Sequence, residues 1–124
     1  MHVHGFTWTG PGADLDKFGE RYPAPPQRLC DWLLRPRRRQ DPVFADPAAA
    51  LDWAARWYRE VEPRMLLREQ EAKIGLDFRL ANAAEGLADG RDTHWTFWLT
   101  NTRIATISLV CCPHRDADHP CPAR

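Results

Sequence analysis

The sequence predicts an α+β domain in which an antiparallel sheet, built from an N-terminal strand and a C-terminal meander or hairpin, packs on two or three helices. Three observations predict it. Both ends of the chain alternate apolar and polar residues with the period of two that a strand imposes. A segment near the middle repeats its apolar residues at helical spacing behind an N-cap. The order is strand, short helices, a longer helix and then strands, which helices laid on one face of an antiparallel sheet satisfy.

The first strand spans residues 3–9. Phe6 and Trp8 share a face with His2 and His4, Thr7 and Thr9 take the other, and Gly10, Pro11 and Gly12 turn the chain. Leu15, Phe18 and Tyr22 fit one or two helical turns, and the prolines at 23, 25 and 26 make a stiff connector. Pro26 suits a first helical position. A short helix then carries Leu29, Trp32 and Leu33 on one face and ends before Pro36. In the next helix Asp46 is the N-cap and Pro47 the first residue. Ala50, Trp53, Ala54, Trp57 and Val61 form its apolar stripe, and Pro63 closes it.

Residues 73–88 admit two readings. Ile74, Leu76, Phe78 and Leu80 alternate with Gly75, Asp77 and Arg79, which favours a strand. Leu76, Leu80, Ala83, Ala84 and Leu87 also fit a helical period. In the hairpin, residues 94–100 alternate Trp95, Phe97 and Leu99 against Thr96 and Trp98. Asn101 and Thr102 turn, and residues 103–112 return, rich in β-branched side chains. Residues 1–110 read as one domain and 111–124 as a Cys/His/Pro-rich tail.

Composition narrows the function. The chain has 124 residues, 44% hydrophobic and 27% charged, enough to bury roughly two-thirds of its unfolded surface without a covalent staple. The formal net charge is zero, so the global positive charge of a nucleic-acid binder is lacking, and little repulsion opposes homo-oligomers. The first residues show no secretory leader, and no apolar run approaches the roughly 18 residues of a membrane span. A cytoplasmic protein without a membrane partner is expected. Cys30, Cys111, Cys112 and Cys121 then read as thiols or metal ligands before disulfides.

The tail carries the most suggestive chemistry. From Cys112 to Cys121 it runs Cys-Pro-His, four residues, His-Pro-Cys. Cys112, His114, His119 and Cys121 make a complete set of the ligands a closed zinc site takes, so zinc is the candidate cofactor. The spacing is not that of a finger or ribbon. His2 and His4 point the same way on a strand, as a metal site needs, but supply only two ligands unless the tail or His94 folds back to them.

Catalytic motifs are lacking: there is no nucleophile elbow, P-loop or zincin helix. Asp92 and His94 with Ser108 or Cys111 contain the residue types of a nucleophilic triad, but no spacing supports one. A non-enzymatic protein is the leading expectation.

Two features point to a macromolecular partner, a protein rather than a nucleic acid. Arg35, Arg37, Arg38 and Arg39 form a basic loop, expected to be exposed and of little weight in stability, with Trp32 placed just before it to stack on a base. Arg outnumbers Lys throughout the chain, which tempers that reading. Trp95 and Trp98 lie three apart on one strand and face opposite ways, so one packs on helices and the other meets a second layer or lies exposed; Trp98 is the candidate interface anchor. The leading function is therefore a regulatory protein that docks its partner through an aromatic sheet face and a basic loop. The alternatives are a zinc-binding module and a small ligand-binding or enzymatic domain.

Overall fold

The computed structural model describes residues 2–16, 24–36, 38–114 and 121. It is an α+β fold built on a four-stranded antiparallel sheet of order β2-β1-β4-β3. The strands are β1 (His2–Pro11), β2 (Val43–Phe44), β3 (Thr93–Trp98) and β4 (Arg103–Cys112). β1 and β4 lie at the centre and pair along their whole length, from His2 opposite Cys112 to Pro11 opposite Arg103. The predicted tail boundary therefore falls inside the sheet, since Cys111 and Cys112 are the last two residues of β4.

Three α-helices follow β2: α1 (Pro47–Val61), α2 (Arg68–Ile74) and α3 (Leu76–Ala88). Asp46 caps α1 by accepting the Ala49 N–H at 2.9 Å, with Pro47 just inside. α1 and α3 cover one face of the sheet. There Ala50, Trp53, Ala54, Tyr58 and Val61 meet Ala83 and Leu87, together with Val3, Trp95, Phe97, Ala105, Ile107, Leu109 and Cys111 of the strands. The strand residues belong to one face because alternate side chains point the same way.

The opposite face holds a second core. A 3₁₀ turn, Leu29–Leu34, lays Trp32 and Leu33 on Phe6, Trp8, Ile104, Val110 and Cys112. The Phe6 and Trp32 rings stack at 4.9 Å. This is the predicted short helix, in a tighter form.

The strand reading of residues 74–80 is corrected to helix. A strand would have buried Ile74, Leu76, Phe78 and Leu80 together, yet Phe78 is 63% exposed and Ile74 is 47% exposed. The helical stripe of Leu76, Leu80, Ala83 and Leu87 wins because it reaches the core already formed by α1 and the sheet. Gly75, at φ +83°, separates α2 from α3 in a conformation that side chains resist.

The α1 stripe also differs from expectation. Tyr58 is fully buried, with its ring edge-on to Trp95 and Phe97, whereas Trp57 is only partly buried. Trp53 and Trp57 pack together on the other flank, where Trp53 meets Phe44 of β2. The Trp53 ring also lies flat over Gly5, where an added Cβ would come within 2.7 Å of it.

Candidate metal centre

The pairing of the two terminal strands builds the centre. β1 carries His2 and His4 on one face, and the register sets Cys112 directly across from His2. Residues opposite each other in an antiparallel pair share a face, so the two imidazoles and the Cys112 thiol converge. Cys121 lies against them. His2 Nε2 is 3.1 Å from His4 Nε2 and 3.1 Å from Cys121 Sγ, and His4 Nε2 is 3.3 Å from the same sulfur. All four ligand atoms fall within 4.8 Å of one another.

These distances suit a tetrahedral cation. With the usual zinc–nitrogen and zinc–sulfur bond lengths, neighbouring ligand atoms of a tetrahedron lie about 3.3–3.8 Å apart. Shifts well under the length of a bond would seat one ion among the four. Two imidazoles and two thiols are a ligand class that zinc takes in closed, structural sites, and no ligand position is left over for substrate.

Burial shapes the electrostatics. His4 is 5% exposed and Cys112 2%, while His2 and Cys121 are half-buried. Burial pushes the Cys112 thiol up to about 12, and its hydrogen bond to Cys121 and that sulfur's charge add to the effect. Cys112 therefore stays protonated near neutral pH until a cation supplies compensating charge, which displaces the proton. The wall behind the site is aromatic: the His4 ring runs parallel to Phe6 at 6.2 Å, and Phe6 stacks on Trp32.

Of the four ligands predicted in the tail, the structure unites Cys112 and Cys121. His119 lies outside the described residues. His114 is corrected: its Nε2 is 2.7 Å from Asp92 Oδ2, while Asp92 Oδ1 accepts the Cys111 N–H at 2.9 Å. Asp92 thus fastens the chain where β4 ends and draws His114 away from the sulfurs. The imidazoles that meet the two sulfurs are those of His2 and His4. Cys111 points to the other face, into the α1–α3 core, with its sulfur 3.5 Å from the Arg91 carbonyl.

The remaining candidates are placed as follows. His94 Nδ1 lies 2.7 Å from Ser108 Oγ, but the partner of its Nε2 is Thr96 at 3.0 Å, and Asp92 is committed to His114. Ser108 is fully buried, so no substrate reaches its oxygen.

The basic loop is less free than its sequence implies. Arg38 forms a forked ion pair with buried Asp41, donates to the Thr7 carbonyl at 2.7 Å and lies 5.5 Å from the Trp32 ring centre. Arg35 donates to the Ala24 carbonyl and lies 4.8 Å over the same ring. Trp32 is covered and unable to stack on a base, which corrects that reading. Arg38 is tied into the fold, so the loop is less exposed than expected. Arg39 is exposed, and Arg37 lies outside the described residues. Trp98, not Trp95, is the exposed member of its pair, at 49%.

Comparison with family models, curated proteins and solved structures finds no match to this chain. Among the described residues, no helix is long and apolar enough to cross a membrane.

Proposed function

We propose that the chain is a non-catalytic metal-binding module in which one zinc ion, held by His2, His4, Cys112 and Cys121, clips residue 121 onto the first strand. The convergence of four zinc-type ligand atoms, three of them set by the β1–β4 register, carries this reading. Four protein ligands close the coordination sphere, so the role of the ion is structural. Binding to the folded state alone stabilises it by mass action. Elemental analysis of protein purified under reducing conditions without chelator tests the reading. About one zinc per chain is expected, lost in Cys112→Ser and kept in Cys111→Ser. Protein that contains no zinc and takes none up when supplied contradicts it.

A second reading, docking of a protein partner, is favoured by one surface. Trp98, Leu67 and Ile74 surround a hollow of about 220 Å³ beside the β3 edge, and Phe78 adjoins it. All four side chains are about half exposed or more, an unusual concentration for a chain of this size. The neutral net charge leaves copies of the chain free to associate. Sedimentation over a wide concentration range tests this surface with a second copy as the partner. Association that Trp98→Ser and Leu67→Ser both weaken supports the reading, and a concentration-independent monomer counts against self-association.

A further inference from the structure

The two sulfurs of the centre differ in a way the zinc reading alone does not use. Cys112 is sealed in the sheet at 2% exposure, whereas Cys121 is half-buried. Cys30 and Cys111 are 3% and 1% exposed, so Cys121 is the least buried of the four cysteines. Its sulfur contacts both imidazoles, and the Cys112 sulfur lies within 4.8 Å of it. Cys111, next in sequence to Cys112, is screened from it because it occupies the opposite face of the sheet. The arrangement is a partly exposed thiol with a potential resolving partner, Cys112, beside it.

We infer that the centre is a peroxide-responsive clip, in which oxidation joins Cys121 to Cys112 and expels the zinc; this rests on the zinc reading above. Metal coordination keeps both sulfurs as thiolates, the nucleophilic form. The Cys121 thiolate attacks one oxygen of hydrogen peroxide, the O–O bond breaks, and a sulfenic acid and one hydroxide result. The Cys112 thiolate then attacks that sulfur, the S–S bond forms and a second hydroxide leaves. Two thiolates and one peroxide thus give one disulfide and two hydroxides. The two electrons come from sulfur, and Zn²⁺ leaves with its charge unchanged. His2 and His4 remain, a pair too few to retain the ion against a chelator. The disulfide takes over the attachment of residue 121 to the sheet, so that residue stays in place while the metal is lost. Thiol reductant with added zinc reverses the change.

The test uses the full chain loaded with zinc, its metal content measured first, in buffer free of reductant. One equivalent of hydrogen peroxide is added. Zinc release is followed with a chromogenic chelator, and the cysteine products are mapped by mass spectrometry of the digested protein. The expected result is one zinc released per disulfide, a single Cys112–Cys121 link, and recovery of the zinc content with dithiothreitol and zinc. A Cys30→Ala, Cys111→Ala variant should give the same stoichiometry. Zinc-loaded protein that keeps its metal through several equivalents, or that forms sulfinic acid or a link to Cys30 or Cys111 instead, overturns this inference and leaves the zinc reading standing. Protein that holds no zinc before peroxide is added overturns both.

Discussion

Trp53→Ala should lower stability by about 3–5 kcal/mol, the usual cost of emptying a large aromatic site in a core. Trp53 is 8% exposed and fills the space between α1 and the sheet. Its ring covers the bare backbone of Gly5, which has no side chain of its own to fill the gap. Trp57→Ala removes as large a ring but from the rim, and should cost clearly less. Urea denaturation midpoints of the two variants separate the sites. Equal losses, or a larger loss for Trp57→Ala, would contradict the assignment of Trp53 as the keystone of this core.

Glu71→Ala should cost about 2–4 kcal/mol, because it strips partners from two groups at once. The Tyr58 hydroxyl donates to Glu71 Oε2 at 2.7 Å, and Arg79 reaches both carboxylate oxygens at 2.7 Å. Arg79 also lies over the Phe97 and Trp95 rings. The cluster ties α1, α2 and α3 to β3. Burial acts to raise the Glu71 pKa, but the hydrogen bonds from Arg79 and Tyr58 outweigh it and hold the carboxyl below the ordinary carboxylate range. A depressed folded-state pKa contributes stability that is present above the unfolded value, about 4.3 for Glu, and lost as pH falls through the folded value. Wild-type stability should therefore fall over that acid window more steeply than that of Glu71→Gln, which has no carboxylate to protonate. Chemical denaturation at a series of pH values checks this, and parallel pH profiles would contradict the network.

What could be read from the sequence followed from local rules. Asp46 with Pro47 marks a helix start whatever lies around it, and the alternation through Trp95, Phe97 and Leu99 marks a strand. Period alone sets Trp95 and Trp98 on opposite faces. The failures arose where distant residues decide. Residues 74–80 satisfy both periods, and the choice depends on a core that α1 and the sheet supply. Trp57 and Tyr58 are neighbours at the edge of one stripe, and their ranking depends on which flank of α1 receives β3. The tail histidines looked sufficient because they stand close in sequence. The imidazoles that meet Cys121 come from the opposite end of the chain, through a β1–β4 register that no local pattern encodes. The pair His2 and His4 on a strand was the visible signal, and its missing partners were the cysteines already noted.

The difference between those two ligand sets is the most direct test of the metal centre. Zinc content of His4→Ala and His114→Ala, each purified without chelator and then supplied with one equivalent of zinc under reducing conditions, decides between them. The centre described here predicts that His4→Ala fails to retain zinc, since it removes a buried ligand in contact with His2 and Cys121. It predicts that His114→Ala, which gives up a contact to Asp92, still holds about one ion per chain. Retention by His4→Ala with loss in His114→Ala would contradict the account and return the metal to the tail.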